Sequence, residues 1–360
     1  MHDVRGMLHR VRPGTRPTVS DVEPEATDAL SPLDPNSLAA AEEVARKRFD
    51  AVLGPGAVDS LLAVCRPGGA PVLGTHRLIR AGHRLGELDG ADSGRVEMIL
   101  TGANPALAAY LTLLLAAGRD LGTISRLAES VQAYRRDFRW LHHHLGVLGG
   151  NLGAAEFIDD DGARLRLRQQ SPGHGGAAAM ILMRVLLDPA FALWLTTGTR
   201  LEDDRGEDGL PFEQRFRAQQ DAVSIAINRR GMGPAPRPRF LGAPPTAMAK
   251  FANRFTLLTG ARFGWVPLID ADWRRRVAAL DATAAAAGAG LPVPVMVEGS
   301  GDRAVLLAIW APDQSGALRC YDPAAGLVVD VARSDLDAGK VGIAGMHRLE
   351  GVLLPELTLT

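Results

Sequence analysis

Apolar and polar positions alternate along this chain with two different periods, and the strand-like one enters only after about residue 150. Before it the spacing is helical. Ser37 to Val52 reads as a helix: Ser37 can cap it, Glu42 and Glu43 lie early, and Arg46, Lys47 and Arg48 lie late, as the helix dipole favours. Asp59 to Cys65 continues helically, and the Gly/Pro-rich segment Pro67 to Gly74 closes that unit. Asn104 opens a further helix that ends near Gly118. Its run Ala103 to Ala117 is the most apolar in the chain, yet it is too short to span a bilayer and carries Pro105, so it predicts a buried helix. Thr123 to Leu145 predicts one long amphipathic helix.

After Gly149-Gly150, the expected domain boundary, the character changes and strand-like alternation joins the helical spacing. Ala155 to Ile158, the turn Asp159-Asp160-Asp161-Gly162 and Ala163 to Arg168 predict a β-hairpin. Helices are expected over Ala177 to Leu187, Phe212 to Arg229, Thr246 to Leu258 (closed by Gly260) and Asp272 to Ala287 (closed by Gly288). The last third is strand-like: Val293 to Glu298, Ala304 to Trp310, Leu318 to Tyr321, Leu327 to Val331 and His347 to Leu354, with Gly or Pro between. Helices first and a small antiparallel sheet last is an α+β order. The expected organisation is a disordered arm over 1–35, marked by Pro13, Pro17, Pro24, Pro32 and Pro35, a helical domain over 36–150 and an α+β domain over 151–360.

Composition narrows the function classes. An apolar fraction of 46% in 360 residues supplies a sizeable core, and a formal net charge of −1 gives no bulk field for nucleic acid or an anionic membrane. Two cysteines, Cys65 and Cys320, exclude a disulfide framework and a cysteine metal cluster. The opening Met1-His-Asp-Val-Arg-Gly lacks the apolar core of a secretory signal, so a cytoplasmic location is expected. Asp159 to Gly162 lacks the alternate acidic spacing of a calcium loop. His142-His143-His144 fan over different helix faces and make a poor metal site. No metal or other cofactor is expected. Tyr134-Arg-Arg-Asp-Phe-Arg-Trp140 reads as a solvated helix face with buried aromatics rather than a nucleic-acid contact, and the acidic run 202–208 as a solvated excursion.

The stretch with most chemical content is Arg168-Gln-Gln-Ser-Pro-Gly-His-Gly-Gly-Ala-Ala-Ala-Met, a polar Pro/Gly loop running into an apolar helix. Downstream come Leu291-Pro-Val-Pro-Val-Met-Val297, Gly301-Asp-Arg-Ala-Val-Leu-Leu-Ala-Ile309 and Leu318-Arg-Cys-Tyr-Asp-Pro-Ala-Ala-Gly326. As an ordered set over roughly residues 151–355, these resemble the papain-like bacterial cysteine peptidases and toxins, the bacteriocin-processing peptidases among them. In that family a loop Gln helps bind the oxyanion. A helix-start Cys is the nucleophile, a strand-start His is the base, and an Asp or Asn on the next strand orients it. The resemblance puts Gln169 in the first role. The nucleophile position falls on Gly175, the base on Ala304 (one residue off, Arg303) and the orienting group on Asp322. Gly175 and Ala304 lie 129 residues apart, at the edge of the roughly 130–150 usual for such a pair.

The spacing is thus kept without the sulfur or the imidazole. The resemblance implies a catalytically inactive papain-like protein that binds a peptide or protein partner as a scaffold. The alternative is an amide hydrolase of cysteine-peptidase lineage (peptidase, deamidase or toxin) with a relocated nucleophile or a replaced Cys and His. A structural component of a larger assembly, tethered by the arm, is the third reading. For relocation, Cys320 is expected to be a buried apolar Cys, and His174 an exposed loop His with nothing to activate. His174-Gly175-Gly176 without a Gly-x-Ser-x-Gly elbow excludes an esterase of that type.

Overall fold

The computed structural model describes residues 35–66, 69–147, 155–158, 164–201, 208–228, 243–299, 303–311, 316–338, 340–341 and 346–357. The expected arm (but for Pro35), the Gly149-Gly150 boundary, the hairpin turn at 159–162, the acidic residues 202–207 and Arg229, the last residue of an expected helix, lie outside them. The architecture is α+β, a helical N-terminal region followed by a six-stranded antiparallel sheet with its own helices.

The helical region comprises α1 (Pro35–Leu53), α2 (Ala57–Leu62), α3 (Thr75–Glu87), α4 (Gly90–Thr101), α5 (Pro105–Ala116) and α6 (Leu121–Ser130). At its centre is α5, buried on every side from Ala106 to Ala116. Asn104 starts it as expected, its Oδ1 accepting from the Leu107 N–H at 2.9 Å, with Pro105 in the first turn. Helix α3 packs between α1 and α5, and its Gly82 lets the α1 backbone approach at Ala45. The helix expected over Thr123 to Leu145 is instead broken. After α6 come a 3-10 turn (Gln132–Tyr134), α7 (Phe138–Leu141) and a π-helical turn (His142–Gly146). The break has a local cause: Asp137 caps a new start, accepting from the Trp140 N–H at 2.9 Å. Val147 then leaves in the left-handed region at φ 51°.

Strands β1 (Glu156–Ile158) and β2 (Arg164–Arg166) pair as the expected hairpin. Then follow α8 (Gly175–Leu187), α9 (Pro189–Thr197), α10 (Phe212–Asn228), α11 (Pro245–Ala252), α12 (Thr256–Thr259), β3 (Ala261–Pro267) and α13 (Trp273–Gly288). The remaining elements are β4 (Val293–Gly299), β5 (Arg303–Trp310), β6 (Ala317–Asp322), β7 (Leu327–Ala332), α14 (Arg333–Asp337) and β8 (Met346–Leu357). The sheet runs β3-β8-β4-β5-β6-β7, so β4 to β7 form a meander and β8 returns to pair with both β4 and β3. The helix expected over Thr246 to Leu258 divides because Asn253 turns its side chain to the backbone of Phe263, bonding its N–H at 2.6 Å and its carbonyl at 3.1 Å. Gly260 then reverses the chain at φ 64° into β3, a strand the apolar pattern did not announce.

Two apolar cores result. The sheet core gathers α8, α10, α11, α13 and the strands, whereas the helical core also draws Ala190 and Leu193 from α9. Polar ties join the two. Arg77, 1% exposed, donates from Nη1 to the Leu258 carbonyl at 2.7 Å, and the His76 N–H donates to the Ala289 carbonyl at 3.1 Å. Among the described residues no single helix is long and apolar enough to cross a membrane. The apolar segments Pro172–Leu187 and Pro189–Thr197 meet at a bend of 117°.

Candidate functional site

The loop Arg168 to His174 sits where hairpin, sheet and helix α8 meet. Three bonds fasten it to the end of β6. The Tyr321 hydroxyl donates to the Leu167 carbonyl at 2.6 Å, the Gln169 N–H to the Pro323 carbonyl at 2.8 Å, and Arg168 Nε to the Ala324 carbonyl at 2.7 Å. Helix α10 holds the other side: Gln220 Oε1 accepts from the Gln170 N–H at 3.0 Å while its Nε2 donates to the Arg168 carbonyl at 3.2 Å.

Gly175 is the first residue of α8 and is buried. Gln169 lies beside it, its Oε1 2.7 Å from where a Cβ at position 175 would stand. Asp322 is buried and its Oδ1 accepts from the Ala324 N–H at 2.8 Å, so its carboxylate closes the β6–β7 turn. Ala304 is the second residue of β5, against which α8 packs, and pairs with Val297. Since Leu307 stands opposite Tyr321, the antiparallel register puts Asp322 two residues from the position facing Ala304, at the same end of the sheet. Arg303 points its guanidinium at Glu350, 3.2 Å away. Cys320 is buried, and burial pushes its thiol up to about 12, which leaves no thiolate at neutral pH.

His174 corrects an expectation. It is not an exposed loop residue but 6% exposed, because the 3-10 turn Pro172–His174 folds the loop inward before α8 starts. It also has a neighbour to act on: Ser171 Oγ lies 2.6 Å from His174 Nδ1. On the other side of the ring, His174 Nε2 lies 3.4 Å from Asp221 Oδ1 of α10, and that oxygen also accepts from Gln170 Nε2 at 3.1 Å. Sequence spacing missed this grouping because Asp221 reaches it only through the packing of α10 on α8. The signal that was available is the hydroxyl three residues before His174, one turn away.

A second feature lies further along α8. A cleft of about 250 Å³ opens between Arg119, Arg184, Phe191, Trp194 and Arg200, and one of about 200 Å³ between Met180, Val223, Phe251 and Phe255. They share Arg184, Phe191 and Gln219, so together they make a groove from α9 across α8 and α10 to α11. The Arg184 guanidinium lies 3.9 Å from the centre of the Phe191 ring and that of Arg200 lies 5.6 Å from Trp194. Buried Asp188 pairs with Arg119 and, at 3.7 Å, with Arg184. Asp208 pairs with Arg200 at 3.5 Å and Arg215 at 3.3 Å and accepts from Trp194 Nε1 at 2.9 Å. Asp208 is therefore a structural acceptor and not part of a solvated excursion. Among the described residues the groove lining carries three guanidinium groups, Arg119, Arg184 and Arg200, and no carboxylate, with Asp188 and Asp208 paired to them from behind, so this lining is cationic.

The other sequence candidates have structural employment. His142 Nδ1 is 2.9 Å from the Tyr110 hydroxyl, His144 stacks on Trp140, and no group of metal-binding side chains occurs among the described residues. Tyr134 and Phe138 are exposed rather than buried, because the broken helix turns them outward, while Tyr134 stacks on Trp140 at 3.9 Å. No protein-family model matches the chain, and no curated protein matches it.

Proposed function

We propose that this chain is a papain-like protein without thiol chemistry that works by binding an extended peptide of a partner, acidic at one end and apolar at the other. The observation that carries the proposal is the pairing of a buried Gly175, whose side-chain space is bounded by Gln169, with the cationic, aromatic groove further along α8. The first gives a cysteine-peptidase layout no reacting sulfur. The second offers what a peptide needs: guanidinium forks for carboxylates near Arg119, Arg184 and Arg200, and an apolar wall of Met180, Phe251 and Phe255 a few residues along. The order Gln169, Gly175, Ala304, Asp322, with the last two at one end of the sheet, supports the lineage.

A displayed random-peptide library panned on the full chain tests this. Selected peptides are expected to share a Glu or Asp followed by an aromatic or aliphatic residue. Arg200→Glu, a change at a half-exposed position, should weaken them at least about tenfold, the effect of losing about one charge-assisted bond. Selection without acidic residues, or binding untouched by Arg200→Glu, counts against the groove.

A further inference from the structure

Beyond binding, we infer that Ser171, His174 and Asp221 form a nucleophile–base–carboxylate relay that cleaves short-chain carboxylic esters, with Ser171 rather than position 175 taking the acyl group. Failure of this inference leaves the groove reading intact, because none of Ser171, His174 and Asp221 lines the groove.

The argument starts from what Ser171 does not do. A serine at the start of a helical turn ordinarily accepts a backbone N–H of that turn. Ser171 makes no such bond; its hydroxyl instead lies 2.6 Å from His174 Nδ1. On the far side of the ring Asp221 Oδ1 lies 3.4 Å from Nε2, close but not hydrogen-bonded to it; the relay assigns the ring hydrogen to this buried Nε2, facing the carboxylate, and leaves Nδ1 to accept the Ser171 proton. Asp221 is itself oriented by Gln170 Nε2 at 3.1 Å. The base is enclosed and the nucleophile is not: the His174 side chain is 8% exposed while Ser171 is exposed. Helix α8 begins at Gly175, the residue after His174, has no side-chain cap, and carries glycine at its first two positions. Backbone N–H groups at a helix start are donors of the kind an oxyanion requires.

The step balances with water as the only co-reactant. Ser171 Oγ bonds to the ester carbonyl carbon as its proton passes to His174 Nδ1, and the Nε2 hydrogen stays directed at Asp221. The carbon–oxygen bond to the alcohol then breaks, and the alkoxide leaves with the proton from Nδ1. Water repeats the sequence on the acyl-serine, giving a carboxylic acid and free Ser171. Ser171 and His174 are the catalytic residues in this scheme, and Asp221 is a positioning residue. Exposure of the turn at Ser171-Pro172 favours small acyl groups.

The test is covalent labelling of the full chain with an alkyl fluorophosphonate, read by peptide mass mapping, alongside release of p-nitrophenol from p-nitrophenyl acetate. An adduct on Ser171 is expected in the folded protein and not in guanidinium, and Ser171→Ala should abolish it together with the ester hydrolysis. His174→Gln should slow labelling about 100-fold or more. Asp221→Asn should slow it at least about tenfold at an unchanged unfolding midpoint, with Asp221→Glu restoring part of the rate. If His174→Gln does not fold, the Ser171 and Asp221 variants decide. Absence of a Ser171 adduct in folded protein, equal labelling when unfolded, or hydrolysis surviving Ser171→Ala overturns the inference.

Discussion

Single side chains decide which chemistry this chain can hold. Cys320 illustrates it: strand neighbours Ala308 and Val329 enclose it, and burial drives its thiol up to about 12. Cys65, at the edge of the helical region, is exposed. A thiol reagent such as Ellman's should therefore titrate one cysteine in folded protein and two in guanidinium. Two fast-reacting thiols under native conditions would reopen Cys320 as a nucleophile. Residue roles were legible from sequence only where they are local. Gln169 lies beside Gly175, as the six-residue spacing along one loop suggests, and Asn104 caps as its neighbours require. His174 was misread because its burial depends on α10, and the carboxylate facing it lies 47 positions downstream on that helix. Nothing in local sequence encodes that meeting.

Elements were legible to the extent that their apolar faces were. The helix expected from Asp272 exists as α13, with Asp272 capping it by accepting from the Arg275 N–H at 2.8 Å, and all five strands expected after residue 290 exist. Helix α3 was not expected although its pattern is legible: Leu78, Ala81, Gly82 and Leu85 lie at helical spacing on the face it buries, beside His76 and Arg77. Glycine placement shows the same dependence on neighbours. A Cβ at Gly82 would stand 2.6 Å from the Ala45 Cβ and 2.8 Å from its Cα, where α1 and α3 press backbone to backbone. At Gly175 the close atoms among the described residues belong to the end of the Gln169 side chain, which can swing aside. Both positions gain up to about 1 kcal/mol of helix propensity on changing to alanine. Gly82→Ala should nevertheless destabilise by about 1–3 kcal/mol, the cost of forcing two packed helices apart. Gly175→Ala should stay within about 1 kcal/mol of the parent. Urea midpoints of the two variants check this, and the reverse order would refute the α1–α3 contact.

At the scale of the whole molecule, the seam between the helical core and the sheet core concentrates cationic and imidazole groups with little acid among them. Arg77 is lowered to about 9 by burial and by Arg80, and still donates across the seam to the Leu258 carbonyl. His76, buried beside it, is held well below the usual imidazole range by burial and then by Arg77 and Arg80. Elsewhere in the helical region His142 is lowered to about 4 by burial, Arg66 and His143, and His143 is lowered chiefly by burial and then by Arg139. All three histidines are therefore neutral when folded but take up a proton near pH 6.5 when unfolded. Between those values the unfolded chain binds protons that the folded one refuses, so stability is fully present above about pH 6.5 and declines as pH falls toward 4. Asp120 and Asp330, both held low by hydrogen bonds, to Thr123 and Arg319 respectively, act in the same direction but only below the ordinary carboxylate range. Because the seam bonds tie the cores together, the loss should appear as one cooperative transition. Urea unfolding followed by circular dichroism at pH 7.5, 6.0 and 5.0 should show a single transition whose midpoint falls at each step, and His142→Gln should flatten the decline. A midpoint that is level or rising from pH 7.5 to 5.0 would mean these imidazoles are charged in the fold. Two separate transitions would mean that the Arg77 and His76 ties do not couple the cores.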